Sequence, residues 1–140
     1  MENLSIVEAP PTTSDFLHLR EMMGWGQLDY AAVGKGLASS LYCVCVYQDH
    51  QLVAMGRVVG DGAIYFYIQD VMVRTAYQGQ GLGHLIMDKI MTFIGTHATE
   101  NSTIGLMSAK GKEGFYHKYG FISRPNEKLG AGMCIFVDRS

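Results

Sequence analysis

The sequence predicts an α/β (α+β) fold, with a mixed, mostly antiparallel sheet of six to seven strands and helices on both faces. Three observations lead to this prediction. Between residues 41 and 74, three β-rich segments follow one another on short turns, which is typical of an antiparallel meander. A one-sided apolar periodicity begins at Leu82 and predicts a helix packed on the sheet. Strand and helix patterns alternate further downstream, as they do in β-α-β units.

The N-terminal elements are short. Residues 4–8 predict a first strand, which ends before Pro10 because a residue that precedes a proline disfavours helix. One of the hydroxyl residues 12–14 can cap a helix that ends near Met23, and a second helix is predicted over residues 30–37. The later elements are strands at 41–47, 52–59 and 64–74, a helix from 82, a strand at 103–108, a helix at 111–118, a strand opening at 120–122 and a last strand at 133–137.

Composition indicates one globular domain over residues 1–140. The chain is 48% hydrophobic and 17% charged, far from a disordered composition. Its formal net charge of -2 provides no basic field for nucleic acid or an anionic membrane. No segment approaches the roughly 18 consecutive apolar residues of a membrane span, and no signal peptide is evident.

The three cysteines predict buried core thiols. Cys43 and Cys45 would share one face of a strand, where the geometry for bonding each other is poor, and Cys134 makes the number odd. Reduced thiols are typical of a reducing compartment. The sequence therefore predicts a cytoplasmic protein, and it contains no motif that predicts a metal site.

The segment that joins the long strand to the helix at Leu82 is the most informative about function. Gln78-Gly79-Gln80-Gly81-Leu82-Gly83-His84 contains three glycines within five residues. Glycine permits positive φ and close backbone approach. The N–H groups of a first helical turn, with the positive end of the helix behind them, then point at one place. This pattern predicts an anion site suited to a pyrophosphate, with a glycine turn used only for strand–helix packing as the alternative.

Other phosphate-binding motifs match less well. The segment lacks the lysine of a nucleoside-triphosphate loop. It is one residue short of the dinucleotide fingerprint, and the strand before it belongs to a meander instead of opening a β-α-β unit. A nucleotide- or dinucleotide-binding protein is therefore disfavoured.

Two motifs together resemble those of the GNAT superfamily of N-acetyltransferases. Gln78-x-x-Gly81-x-Gly83, preceded by a strand that ends at residues 70–73, resembles the acyl-CoA-binding motif Arg/Gln-x-x-Gly-x-Gly/Ala. Residues 114–121, Gly-Phe-Tyr-His-Lys-Tyr-Gly-Phe, resemble the downstream Phe-Tyr-x-x-x-Gly-Phe segment. The order of predicted elements over essentially the whole chain also suits this superfamily.

The resemblance implies acetyl-CoA as cosubstrate and a long strand that splays from its neighbour at a bulge. The pantetheine arm would bind strand backbone there, and the pyrophosphate would bind the glycine loop. A backbone N–H near Val71 or Met72 would polarise the thioester carbonyl. The implied cofactor-binding residues are Val71, Met72, Val73, Gln78, Gly79, Gln80, Gly81, Leu82, Gly83, His84, Phe115 and Tyr116.

The resemblance also implies two catalytic candidates. Tyr116 matches the tyrosine that faces the CoA sulfur, and a phenol with a pKa of about 10 can donate a proton to the departing thiolate. Packing within its own helix is the alternative role. Asp70, beside the expected bulge, is the candidate base for the amine, although it could equally hold loop backbone. Asp29 and Glu21 are weaker candidates, and a water relay without a dedicated base remains open.

Four aromatic residues are candidates for the acceptor pocket: Trp25, in the loop after the first helix, with Tyr30, Tyr65 and Tyr67. They would suit an amine with a flat or apolar body or a cation on π faces, and core or dimer-interface packing is the alternative. The predicted reaction is transfer of acetyl from acetyl-CoA to a primary amine of a small molecule, by direct attack in a ternary complex. Acetylation of a protein or peptide amine, or a non-catalytic acyl-CoA sensor, are the alternatives. The apolar last strand and the resemblance make a homodimer a further expectation.

Overall fold

The computed structural model describes residues 3–139, which form five strands and four α-helices. The described residues form two compact units, one that ends at residue 106 and one that begins at residue 107. That the whole chain is a single domain therefore stays a prediction. The elements are β1 (Leu4–Val7), α1 (Thr13–Met22), α2 (Tyr30–Ala38), β2 (Tyr42–Gln48), β3 (Gln51–Gly60), β4 (Tyr65–Val73), a 3-10 turn (Thr75–Tyr77), α3 (Leu82–His97), β5 (Thr103–Leu106) and α4 (Glu113–His117).

The N-terminal unit is built on one sheet with the strand order β1-β2-β3-β4-β5. Neighbouring strands from β1 to β4 pair antiparallel, while β4 and β5 pair parallel. The parallel pair requires a crossover, which α3 supplies between the two strands. The sheet is therefore mixed and mostly antiparallel, which confirms the predicted fold class.

Helices cover both faces of this sheet. On one face, α1 and α2 bury a cluster against the strands, with members Phe16, Leu19, Val33, Leu37, Cys45, Leu52, Met55 and Met72. On the other face, a Cβ added to Gly56 would lie 2.7 Å from Ile86 and 2.8 Å from Ile90 of α3. Gly56 follows Met55, and successive strand residues face opposite sides of a sheet. The absence of a side chain at Gly56 lets α3 approach the strands closely.

A bulge interrupts the β3–β4 ladder. Met55 pairs with Met72 and Arg57 pairs with Gln69, so two residues of β4 lie opposite Gly56. One of them, Asp70, has a φ of 57°, which is uncommon for a residue other than glycine. The β4–β5 pairing ends at Ile68 and Leu106, whereas β4 continues to Val73. The last part of β4 is thus the point at which the expected splay begins.

Two predicted strands are wrong. Residues 120–122 and 133–137 are not in strands, and the described chain has five strands instead of six to seven. A short apolar segment becomes a strand only when a neighbouring strand pairs with its backbone. In the C-terminal unit, residues 107–139 contain helix α4 and no described sheet to supply that neighbour. Met133, Ile135 and Phe136 are consequently 88–90% exposed.

The thiol prediction is correct for two of the three cysteines. Cys43 and Cys45 are buried in β2 and all three thiols are free. Cys134 is exposed, which corrects the expectation that it is a core thiol, because the strand expected to bury it is absent from the described fold. No helix in the described part of the chain combines the length and apolar character needed to cross a membrane.

Candidate active site

Asp70 is the buried acidic residue of the β4 bulge, with its side chain 3% exposed. The bulge turns the carboxylate towards the face covered by α1 and α2. There Arg57 Nε donates a hydrogen bond of 2.8 Å to Asp70 Oδ2, and Arg20 Nη1 lies 3.6 Å from Oδ1. A buried carboxylate is costly unless it is paired and hydrogen-bonded, and these two guanidinium groups compensate its charge.

The two arginines connect Asp70 to the helical layer. Arg57 Nη1 donates to the Gly36 carbonyl at 3.3 Å and to Ser40 Oγ at 3.0 Å, at the end of α2. Arg20 donates from Nε and Nη2 to the carbonyl of Gly26, at 3.3 and 3.1 Å, in the loop between α1 and α2. The bulge is therefore tied to both helices that cover this face.

The glycine loop precedes α3. Gly79 and Gly81 have φ values of 78° and 88°, a region that glycine enters without steric cost. Gly81 is the N-cap of α3, and as a glycine it has no side chain that could accept hydrogen bonds from the N–H groups of the first turn. The Gln78 side chain bends back, and its Nε2 donates to the Val73 carbonyl at 2.9 Å. This contact holds the loop against the end of β4.

The loop has space for an anionic group. Within the described chain, a Cβ added to Gly79 or Gly81 would meet no atom within 4 Å, so the backbone is open to an approaching ligand. The side of α3 that faces the sheet is anchored by Leu82 and Ile86, both buried. The backbone N–H groups of the first turn thus lie at an open position, and such a helix start is suited to an anionic group.

A basic side chain lies beside this loop. Arg74 directly follows β4, and its guanidinium carbon is 6.0 Å from the centre of the Tyr77 ring. Its Nε and Nη1 are buried and have no hydrogen-bond partner among the described residues. A guanidinium is always charged, and buried donors without acceptors are unfavourable. This cation further favours an anionic ligand near the end of β4.

A groove of about 650 Å³ runs along α3 from Gly81 and His84. It does not include Asp70 or any other residue of β4. Its remaining lining residues come from the end of β1, the start of β2 and α3: Glu8, Tyr42, Leu85, Asp88, Lys89, Thr92, Phe93 and Thr96. The groove therefore adjoins the predicted cofactor loop and lies apart from the predicted acceptor residues.

The four predicted acceptor residues differ in their surroundings. Trp25 is partly buried against the α1–α2 cluster, and the guanidinium carbon of Arg20 lies 5.6 Å from the centre of its ring. Tyr67 is also partly buried, on β4. Tyr30 and Tyr65 are 62% and 58% exposed. Arg20 links Trp25 to Asp70, because the same guanidinium that lies over the Trp25 ring has its Nη1 3.6 Å from Asp70 Oδ1.

Tyr116 lies on α4 in the C-terminal unit. Its ring meets Phe115 at 5.1 Å and Phe121 at 6.3 Å, both edge-on. Burial raises the pKa of Tyr116 above its usual value, so the phenol stays protonated at neutral pH. Tyr119 packs on Phe115 at 5.7 Å, and Gly120, with a φ of 92°, follows the end of the helix. A protonated hydroxyl can donate a proton or a hydrogen bond.

Sequence reasoning missed the two arginines around Asp70. Arg57 did carry a signal, since it stands between Gly56 and Val58 in an otherwise apolar strand, and a charged residue in such a strand requires a buried partner. The sequence around Arg20 gave no comparable signal, apart from the position of this residue on α1. Among the described residues, no group of three His, Cys, Asp or Glu side chains could hold a metal ion.

A family model described as an acetyltransferase (GNAT) domain matches residues 22–137 of the chain. A solved structure of a probable acetyltransferase from meticillin-resistant Staphylococcus aureus is 35% identical, with a TM-score of 0.88 over 96% of this chain and 99% of that chain. A GNAT family acetyltransferase of Streptococcus pneumoniae is 26% identical, with a TM-score of 0.79 over 98% and 99% of the two chains.

Curated relatives match more distantly. Uncharacterized N-acetyltransferases of Prochlorococcus marinus and Porphyra purpurea are each 29% identical, over 81% and 80% of this chain. The chain spans 66% of the length of each of them. Serotonin N-acetyltransferase 2 of Oryza sativa is 32% identical over 78 residues, which are 56% of this chain and 38% of the relative.

Proposed function

The chain belongs to the GNAT acetyltransferase family, and from that premise we propose that it transfers acetyl from acetyl-CoA to the primary amine of a small molecule. The observation that carries the proposal is the open glycine loop at the start of α3. Gly81 caps the helix with a φ of 88° and leaves the first-turn N–H groups accessible. Such a helix start binds phosphate oxygens.

The cofactor residues have separate tasks in this proposal. The backbone of Val71, Met72 and Val73 binds the pantetheine arm, and the glycine loop with His84 binds the pyrophosphate. Val71 and Met72 follow the bulge residue Asp70, where the β3–β4 ladder is irregular. A ladder that is locally interrupted leaves backbone donors available for a ligand. One of these N–H groups would donate to the thioester oxygen and stabilise the charge that develops on it.

Proton transfer is assigned to two side chains. Bound acetyl-CoA supplies an activated acetyl thioester, which a neutral amine attacks with loss of the CoA thiolate and one proton. Asp70 accepts that proton, and its ion pairs with Arg57 and Arg20 fix the orientation of the carboxylate. Tyr116 donates a proton or a hydrogen bond to the thiolate sulfur, and burial, which raises the pKa of this phenol, keeps it in the protonated form at working pH.

The acceptor is proposed to be an amine with a flat or apolar body. Trp25, with Tyr30, Tyr65 and Tyr67, supplies the aromatic surface for such a molecule. The rice relative is named for serotonin, an amine with a flat aromatic ring, which supports the same class of acceptor here. In this proposal no residue of the chain carries the acetyl group. The amine therefore attacks the thioester directly, which requires the acceptor and acetyl-CoA to be bound at the same time.

A thiol-release assay with acetyl-CoA and a panel of aromatic, aliphatic and peptide amines tests the proposal. Turnover of a small aromatic amine is expected, and Tyr116→Phe should lower kcat by about 100-fold, the usual contribution of a general acid. Tyr119→Phe is the matched control, because Tyr119 lies in the same packing cluster and should retain activity. Turnover confined to peptides would contradict the small acceptor. Tight CoA binding without any turnover would indicate an acyl-CoA sensor.

We further propose that the chain forms a homodimer through residues 133–137. Soluble monomers rarely expose contiguous apolar surface, and Met133, Ile135 and Phe136 are almost fully exposed in the single chain. Burial of these side chains against a second copy would remove that surface from water. The cytoplasmic location predicted from the cysteines stays a prediction, which the three free thiols support.

A further inference from the structure

Arg20 makes contacts in two directions. Its Nη1 lies 3.6 Å from Asp70 Oδ1, at the β4 bulge. Its Nε and Nη2 both donate to the Gly26 carbonyl, at 3.3 and 3.1 Å, and its guanidinium carbon lies 5.6 Å from the centre of the Trp25 ring. One side chain thus contacts both the proposed proton acceptor and the loop that carries the principal acceptor-binding candidate.

The chemistry of the guanidinium explains why one arginine can do this. Its planar group presents five N–H donors in a fixed fork, so it can bind a carbonyl with one edge and a carboxylate with the other while its face lies against an aromatic ring. A lysine at this position would offer a single point charge. The Arg20 side chain is 16% exposed, so solvent screens these contacts only partly.

The Trp25 loop is also held by packing of Trp25 against the α1–α2 cluster and by backbone hydrogen bonds to the end of α1. Gly24 has a φ of 76°, and a Cβ added to Gly24 or Gly26 would meet no atom within 4 Å in the described chain. Trp25 N donates to the Arg20 carbonyl at 3.0 Å, which closes the turn after α1. The Arg20 side chain adds to these contacts a direct link between the loop and the β4 bulge.

We propose that Arg20 is a positioning residue, which holds the Trp25–Gly26 loop at a fixed distance from Asp70 and the β4 bulge. This inference rests on the proposed function, in which the bulge binds the thioester and the loop binds the amine. Arg20 then sets the separation between the two reactants. A displacement of about 1 Å in such an arrangement can lower the rate by about 100-fold.

Trp25 reports directly on this coupling, since it is the single tryptophan of the chain. Arg20→Met should shift its fluorescence emission to longer wavelength and increase its quenching by acrylamide, because the loop is released. Arg20→Lys should give an intermediate result, since lysine keeps the charge near Asp70 and loses the fork that binds Gly26. In Arg20→Met, Asp70→Asn should add little further change, because the link between the two is already broken.

Arg124→Met is the matched control. Arg124 Nε donates to the carbonyl of Gly130, six residues on, which is the same spacing as Arg20 and Gly26, but it lies in the C-terminal unit. This variant should leave the Trp25 emission unchanged. With the best amine of the panel, Arg20→Met should lower kcat/KM by roughly 10- to 100-fold, through kcat as well as KM for the amine, while the Kd of CoA changes by less than about twofold.

The outcomes separate this inference from the proposed function. If Arg20→Met leaves the emission and quenching of Trp25 unchanged, or weakens CoA and the amine equally, Arg20 does not position the loop. If wild-type protein binds no CoA and acetylates no amine, the proposed function fails, and the fluorescence of the Arg20 and Asp70 variants still decides whether the two sites are coupled. If Arg20→Met does not fold, Arg20→Lys provides the same comparison.

Discussion

A single carboxylate placed at the N-cap of α3 should abolish most of the affinity for CoA. Gly81→Asp introduces a negative charge where the proposal places the pyrophosphate. A Cβ at this position meets no atom within 4 Å, so the variant causes no steric clash with the described chain. The φ of 88° is unfavourable for most residues, but aspartate enters the left-handed region more readily than they do. The variant should therefore fold.

The expected loss can be worked from Coulomb's law. For unit charges about 5 Å apart, the repulsion is about 3 kcal/mol at an effective dielectric constant of about 20, and about 1 kcal/mol in bulk water. Gly81 is exposed, so the true value lies between these limits. Since about 1.4 kcal/mol corresponds to a tenfold change, the Kd of CoA should rise by between about 5- and 100-fold.

Isothermal titration calorimetry with CoA at low and high ionic strength measures this effect. Gly81→Asn is nearly isosteric and isolates the charge from the backbone strain. Gly111→Asp is the second control, because Gly111 has a φ of 86° and equally open surroundings within the C-terminal unit. The defect of Gly81→Asp should shrink at high salt. Equal CoA affinity for the aspartate and asparagine variants of Gly81 would refute the placement of the pyrophosphate.

Two further predictions concern packing and assembly. Gly56→Ala should lower the free energy of unfolding by about 1–3 kcal/mol in thermal or urea denaturation, because the new Cβ lies 2.7 Å from Ile86 of α3. Gly95→Ala, in α3 with no atom within 4 Å, should instead be neutral or stabilising by up to ~1 kcal/mol, and the same loss in both variants would contradict the packing argument. Wild-type protein should elute as a dimer in size-exclusion chromatography with light scattering, and Ile135→Glu with Phe136→Glu should be monomeric. A monomeric wild type would disprove the proposed interface.

The local parts of the fold could be predicted from the sequence because neighbouring residues determine them. Thr12 caps α1 as predicted, with its hydroxyl accepting a hydrogen bond of 3.1 Å from Asp15 N. The side chains of β4 alternate as those of a strand with one buried face do, since Phe66 and Ile68 are buried while Tyr65 is exposed. Each of these features depends on a cap or on a period of two or 3.6 residues, and such patterns are visible within a short window.

Local sequence patterns predict neither the bulge, which was expected from the family resemblance alone, nor the charge network around it. The residues next to Asp70 in sequence do not indicate that its φ is positive. The bulge arises from the register between β3 and β4. The ion pairs join Asp70 to Arg57 and Arg20, which come from another strand and a helix. Contacts between residues so far apart in sequence are a property of the fold, and the sequence offered only the solitary charge in β3 as a signal.

The C-terminal strand prediction was wrong for a different reason, and its failure bears on assembly. The continuous apolar run of residues 133–137 does describe a segment that could pair with a strand, since a short run of this kind is consistent with a strand that is buried on both faces. Pattern alone does not say which strand will be the partner. In the described chain, β5 ends the strand order of the sheet and the segment remains exposed. In the homodimer proposal, a second copy covers this segment. The apolar residues would then be buried as the sequence predicts, but against the partner chain instead of within their own.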